Sequence, residues 1–540
     1  MVVPELRAWR AAKPRLAWVA RAVKPRLARV AVAVKPRARR ITEAARPRVT
    51  QLTGVVTPRA GGLTTPQVTA LAATVGLALA VGTATAAGPW DSSGQRTAER
   101  DRAAAWGREG GTDHGRRPGD APEAPAAAPS AAPVLAGLGV ATIESAPLGQ
   151  PLGVVLDELL GNGSLGPRRT AAVVDVATGK RVYDKNAGEA LTPASTTKIA
   201  TAVAVLSAAG TDHRLTTRTV LEPGTDKVVL VGGGDPTLTA RKKDEGWASL
   251  RTLADGTAAA LKKRHMTSVH LAYDASLFTG AALHPIGANP NLAPVTALMA
   301  DEGRTDGSTS GPAPRSTDPA SDAARSFGDL LHERGIRISA PGASAAKATS
   351  RAQTLASVQS PPLSAVVERM LTNSDNDIAE ALARQTALAT GGQPSFAGGA
   401  AAIADRLRKL GLPVGSAQFH DGSGLDREDK LTADLLTVLL ASAGSPAHPE
   451  LRPVLTGLPI AGFTGTLSDR YEDASERSGV GVVRAKTGSL TGVNTLAGTV
   501  VDADGRLLAF AFLTDGSMDQ SSARAALDRT AAALAGCGCR

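Results

Sequence analysis

Alternation and helical spacing of apolar residues resolve the chain into secondary-structure elements from about Ala136 onward. Residues 170–176 and 181–183 are apolar, β-branched runs on either side of Ala177-Thr178-Gly179-Lys180, the pattern of a β-hairpin. From Thr192 to Gly210 the pattern predicts a helix, with Thr192 as N-cap, Pro193 at the first helical position and Gly210 closing it. Ile199, Val203, Val205 and Leu206 leave that helix no strongly polar face, so it should be buried. Helical spacing returns over 363–389, 397–410 and 431–443. Residues 480–485, 494–501 and 507–513 read as an antiparallel meander with Asp504-Gly505 as its second turn, and 520–534 as a closing helix. Strands from both ends of this region with helices between them predict one antiparallel sheet flanked by helices, an α+β fold.

The first quarter of the chain is of another kind. Pro14, Pro25, Pro36, Pro47 and Pro58 recur every eleven residues, each followed by arginine, a frequency that prevents one long helix. Residues 1–60 carry a balance of +13, so of the formal net charge of +10 the remaining 480 residues hold −3. The high overall charge therefore describes the tail alone, and no nucleic-acid partner is expected. Two readings of the 1–67 tail stand side by side: adhesion to anionic lipid through its basic residues, or a disordered cytoplasmic extension. Residues 68–87 form an uncharged stretch long enough to span a bilayer. Ala84-Thr85-Ala86 also fits a signal-peptidase site, so this segment is either an anchor or a cleaved signal. Both readings, with the positive tail before it, place the rest of the chain outside the cytoplasm. Residues 88–135, rich in Pro, Ala and Gly, read as a flexible linker. Cys537 and Cys539, in the last four residues, cannot staple a core.

The chemistry is carried by three short motifs. Ser195-Thr196-Thr197-Lys198 sets a serine and a lysine three residues apart on one helix face, and Lys198 is the only charged residue between Glu189 and Asp212. A buried lysine is biased toward its neutral form, which suits it to take a proton from the serine hydroxyl. Ser374-Asp375-Asn376 opens a helical run, and Lys486-Thr487-Gly488 ends a strand. The order S-x-x-K, S-x-N, K-T-G is that of penicillin-recognising enzymes. Ser195 is then the nucleophile and Lys198 its base. Ser374 relays a proton to the leaving amine, and Asn376 holds the substrate amide or Lys198. Lys486 supplies positive potential and keeps Lys198 deprotonated by like-charge repulsion. Thr487 and Ser489 offer hydroxyls to a substrate carboxylate, Gly488 lets the substrate backbone approach, and the N–H groups of Ser195 and Ser489 form an oxyanion hole.

With these residues in view, the chain resembles the D-alanyl-D-alanine carboxypeptidase/endopeptidase family, the class C type-4 low-molecular-mass penicillin-binding proteins. The resemblance covers roughly residues 145–535. It extends to Val231-Gly232-Gly233-Gly234-Asp235-Pro236-Thr237-Leu238, Ser360-Pro361-Pro362-Leu363-Ser364, His420-Asp421-Gly422-Ser423-Gly424-Leu425 and Gly465-Thr466-Leu467-Ser468-Asp469-Arg470. It implies a penicillin-binding-protein/β-lactamase-like transpeptidase fold in two segments, 136–212 and 346–540. It also implies an inserted, mostly β domain at 213–345, within which 305–322 reads as a mobile loop. Peptidoglycan stem peptides as substrate, β-lactams as covalent inhibitors, and no metal or cofactor are further implications. Carboxypeptidase and endopeptidase preference stay open. The rivals are a serine β-lactamase, whose E-x-x-L-N loop is only approached by Glu428-Asp429-Lys430-Leu431-Thr432, and a non-catalytic wall-binding scaffold. Scattered histidines disfavour a metallopeptidase. His420 beside Asp421 suggests a triad, but its motif points to a structural role.

Overall fold

The computed structural model describes residues 151–339 and 343–537. The basic repeats, the 68–87 segment and the linker lie outside them. Among the described residues, no helix is long and apolar enough to cross a membrane.

The described chain begins with α1 (Leu152–Leu160), then a hairpin of β1 (Arg168–Asp175) and β2 (Arg181–Lys185) where the apolar pattern predicts one. After β3 (Ala190–Leu191) a 3-10 turn over Ala194–Thr196 leads into α2 (Thr197–Ala209). This helix starts later than expected. Ala194 has φ +48, which no helix accommodates, and the Thr192 hydroxyl donates to the Arg427 carbonyl rather than capping. Gly210, at φ +89, ends the helix as read.

The insert comes next. It is built on a sheet of β4 (Thr216–Leu221), β5 (Lys227–Val231), β6 (Ser268–Asp274), β7 (Arg337–Ile338), β8 (Ser344–Ala345) and β9 (Gln353–Gln359). Helices α3 (Leu250–Lys262) and α4 (Pro319–Glu333) pack on it around Leu253, Leu271, Phe327 and Leu331, so the insert carries helices as well as strands. Its sheet closes through β9, which pairs antiparallel with β4 and lies beyond the expected boundary at residue 345. Residues 232–234 form the joint with the rest of the chain. A Cβ on Gly233 would lie 2.0 Å from the Thr216 carbonyl oxygen, and one on Gly234 would lie 2.5 Å from the Gln385 side chain.

The chain then returns through α5 (Leu363–Asn373), α6 (Asn376–Thr390), α7 (Phe396–Lys409), β10 (Leu431–Thr432), α8 (Ala433–Gly444) and α9 (Arg452–Thr456). It ends in β11 (Arg484–Leu490), β12 (Val493–Val501), β13 (Leu507–Asp515) and α10 (Gln520–Gly536). The main sheet has the order β11-β12-β13-β1-β2, antiparallel throughout, so strands from the two ends of the described chain meet at β13 and β1. Side chains alternate across it. Phe510, Phe512 and Val173 face the core shared with α1 and α10, while Ala172, Ala509 and Ala511 face the core shared with α2, α5, α6 and α8. Small residues on that second face let α2, buried along most of its length, lie close to the sheet.

Candidate active site

The three motifs converge where the start of α2, the break between α5 and α6, and strand β11 meet. Ser195 lies in the 3-10 turn, half-buried, and Lys198 lies in the first turn of α2, fully buried. The break before α6 comes from Ser374, whose φ of +57 is left-handed; Asp375 then caps α6, its carboxylate accepting from Ile378 N–H at 3.0 Å. A non-glycine residue held there costs on the order of 1–3 kcal/mol and turns the Ser374 hydroxyl out of the helix line. The K-T-G motif sits inside β11 rather than at its end: Lys486 pairs with Ala497 and Gly488 with Thr495.

Lys198 Nζ has three acceptors, Asn376 Oδ1 and the Ser423 carbonyl, each at 2.7 Å, and Ser195 Oγ at 3.0 Å. Burial lowers its pKa to about 8, against the pull of Asp421, Glu380, Asp375 and Asp429. Lys486, also fully buried, donates to Ser374 Oγ and to the Thr487 carbonyl, both at 2.8 Å. Burial first, then repulsion from Lys198 and Arg470, holds its pKa well below the usual amine range. Desolvation is thus the leading cause for both amines, and the like-charge effect expected on Lys198 is felt by Lys486.

Ser195, Ser374, Asn376 and Ser489 line one cleft, together with Thr466, Leu490 and residues of the insert that include Asn291, Arg304 and Arg315. Thr487 does not line it; its hydroxyl donates to Thr466 Oγ1 at 2.9 Å, and Thr466 does. Gly488 has a different reason for being glycine from the one expected. It is buried, and a Cβ there would meet Thr495 Oγ1 at 2.1 Å and the Pro193 carbonyl oxygen at 2.7 Å, so packing against the turn that carries Ser195 excludes a side chain. The 305–322 segment is likewise not a free loop. Arg304 Nη1 donates to Ser308 Oγ and the Ser310 and Gly311 carbonyls, and α4 begins at Pro319.

The H-D-G-S-G-L motif shapes the loop behind Lys198. Asp421 accepts from the N–H groups of Ser423, Gly424 and Asp426. Its histidine partner is His284, at 3.2 Å, not the neighbouring His420, whose backbone N–H goes to Asp429. Glu428 is exposed and lines no part of the cleft. Ser423 and Thr466 stood inside the family signatures, where a role was legible in principle; His284 and Asn291 carried no signal in the sequence.

Comparison with known proteins agrees with this geometry. Residues 152–314 and 305–534 match the model of the D-Ala-D-Ala carboxypeptidase 3 (S13) family. The chain belongs to that family. It is 36% identical over 408 residues to carboxypeptidase DacB of Mycolicibacterium smegmatis, spanning 73% of this chain and 85% of that protein. A carboxypeptidase of Mycobacterium tuberculosis is 34% identical over 427 residues, or 77% and 90% of the two chains. Among solved structures, penicillin binding protein 4 of Haemophilus influenzae shares the fold, with a TM-score of 0.58 at 24% identity over 70% of this chain and 98% of that one. A second structure of that protein, complexed with a β-lactam, gives a TM-score of 0.54 at 25% identity, covering 71% and 98%. The fold is therefore the α+β penicillin-binding type.

Proposed function

We propose that Ser195 is the nucleophile with which this serine-type D-Ala-D-Ala carboxypeptidase hydrolyses the terminal peptide bond of peptidoglycan stem peptides. The observation that carries the proposal is the surroundings of Lys198 Nζ. A neutral amine has two hydrogens and one lone pair. With the hydrogens on Asn376 Oδ1 and the Ser423 carbonyl, the lone pair is left for the Ser195 hydroxyl hydrogen at 3.0 Å. Ser195 Oγ attacks the carbonyl carbon of the penultimate D-alanine while its proton passes to Lys198. The N–H groups of Ser195 and Ser489 receive the oxyanion, a contribution worth about 10²–10³ in rate per donor. As the C–N bond breaks, the leaving amine takes a proton from Ser374 Oγ, which Lys486 Nζ holds at 2.8 Å, and the proton that Lys198 took from Ser195 passes on to Ser374, restoring its hydroxyl and the neutral Lys198. Water then hydrolyses the ester by the reverse proton path. The hydroxyls of Thr466 and Ser489, which line the cleft, receive the substrate's terminal carboxylate, while the Thr487 hydroxyl donates to Thr466 and fixes which way it points.

A β-lactam follows the same first step and leaves a stable acyl-enzyme. Peptidoglycan lies outside the cytoplasm, which agrees with the export expected of residues 68–87. Cross-linked muropeptide, cleaved as an endopeptidase would, is a second substrate for the same serine. The test is labelling of the full chain with fluorescent penicillin, beside Ser195→Ala. Stable label on the native protein and none on the variant is the expected result. Label that survives in the variant overturns the assignment of Ser195, and rapid turnover of the drug points to a β-lactamase. Release of D-alanine from free pentapeptide, compared with cleavage of cross-linked muropeptide, separates the two peptidase activities.

A further inference from the structure

The two oxygens that aim the Lys198 lone pair are both held in place by the insert. Asn376 donates its Nδ2 to the Asn291 carbonyl at 2.9 Å, which fixes the amide so that Oδ1 faces Lys198. The Asn291 segment is in turn tied to α6: Ala293 N–H donates to Asp377 Oδ1 at 2.9 Å, and Arg315 pairs with Asp377 at 2.8 Å. The Ser423 carbonyl is held by the turn that Asp421 caps, and His284 donates its Nε2 hydrogen to the Asp421 carboxylate at 3.2 Å. The tautomer is set by the other ring nitrogen, because His284 Nδ1 accepts from the Ile286 N–H at 3.2 Å. Both His284 and Asp421 are buried, and the imidazole stands edge-on to Phe396, 4.8 Å between centroids. A single stretch of the insert, from His284 to Ala293, thus reaches both hydrogen-bond acceptors of the amine.

We propose that His284 is a positioning residue of the catalytic centre, and that the insert orients Lys198 through two paths: His284–Asp421–Ser423 and Asn291–Asn376. The proposal rests on the reading of Lys198 as the base. Without these contacts the lysine would still be buried and basic, but its lone pair would no longer be directed at Ser195. Misdirection of this kind costs rate rather than binding.

A matched pair of variants separates positioning from simple structure. His284→Gln keeps an N–H that reaches Asp421, whereas His284→Asn keeps an acceptor for the Ile286 N–H but falls short of the carboxylate. Acylation of the full chain by fluorescent penicillin is measured against drug concentration, to split the acylation rate from initial binding, with a thermal melt of each variant. We expect His284→Asn to slow acylation by about tenfold or more with binding little changed, because a misplaced catalytic group costs rate. His284→Gln should restore most of that rate. Asp377→Ala, which lies outside the cleft and removes the acceptor of Ala293 N–H and the partner of Arg315 on the second path, should slow acylation in the same way and serves if His284→Asn fails to fold. Wild-type acylation in a folded His284→Asn protein overturns the proposal, as does equal loss in the Gln and Asn variants with equal loss of melting temperature. Failure of the Lys198 reading itself would appear elsewhere, as undiminished labelling of Lys198→Met.

Discussion

At the residue scale the decisive fact is that Lys198 has no charged partner within hydrogen-bond reach among the described residues. Its nearest acceptors are neutral oxygens, so nothing offsets burial strongly enough to restore an ordinary amine pKa, and about 8 is the result. With Lys198 as the proposed base the neutral amine is the active form, so the acylation rate should rise as pH climbs through about 8 and level off above it, which stopped-flow labelling across pH will check. Lys198→Met should lower that rate by roughly 10²–10⁴, the usual contribution of a positioned base. Thr466→Val tests the carboxylate site. Losing one hydrogen bond to a charged group is worth about 1.5–3 kcal/mol, so KM for the pentapeptide should rise by roughly 10- to 100-fold with kcat less affected. Of these residues Ser195, Lys198, Ser374, Asn376 and Lys486 were legible, because each sits in a short motif whose spacing has a chemical reason. Thr466 in contact with Thr487 was not, since the 2.9 Å between their hydroxyls depends on how β11 lies beside the 465–467 turn.

At the scale of elements, the sequence marked the hairpin at β1 and β2, the closing helix α10 and the glycine that ends α2. It placed the start of α2 too early and the end of β11 too soon. The helix starts late because Ala194 is left-handed, and β11 runs on because Ser489 and Leu490 still pair with β12. The two regions touch: a Cβ on Gly488 would fall 3.1 Å from the Ala194 Cβ and 2.7 Å from the Pro193 carbonyl oxygen. Gly488→Ala should therefore cost about 1–3 kcal/mol of stability through overpacking. The same strain falls on the turn that presents Ser195, so penicillin labelling should drop more than a thermal melt alone would suggest. The break between α5 and α6 was partly legible: Ser374-Asp375-Asn376 is a good capping sequence, and Asp375 does cap α6. The left-handed Ser374 that separates the two helices was not.

At the scale of the whole molecule, several carboxyl groups are buried between the insert and the catalytic layers. Burial raises Asp235 to about 6, Asp377 and Glu380 to about 7 and Glu302 to about 8. Between the unfolded and folded pKa values the native state binds more protons than the unfolded chain, so stability should fall as pH rises from about 5 to about 8. Lys486 acts in the opposite sense, since its folded pKa is depressed, as does Lys198 from about pH 8 upward, so the four carboxyls prevail below about 8. A melting temperature that rises steadily over this range would show that these groups are not buried in their protonated form. Asp377, Glu380 and Glu302 cluster around the contacts that tie α6 to the insert and to the 421–424 loop.

The sequence by itself marked the candidates for the chemistry: a proposed nucleophile and base three residues apart, a serine and asparagine at a helix start, and a lysine on a strand. It also determined the α+β class, because alternation and helical spacing are properties of neighbouring residues. Only the tertiary structure decided which partners hold that chemistry in place. The pairing of β4 with β9 that closes the insert, the match of His284 with Asp421 across 137 positions, and the reach of Asn291 to Asn376 join residues far apart in the chain. No local pattern records such contacts, because they depend on how separate elements pack. Ser195 and Lys198 could be named from a tetrapeptide; the direction in which Lys198 points is set by the insert packed beside it.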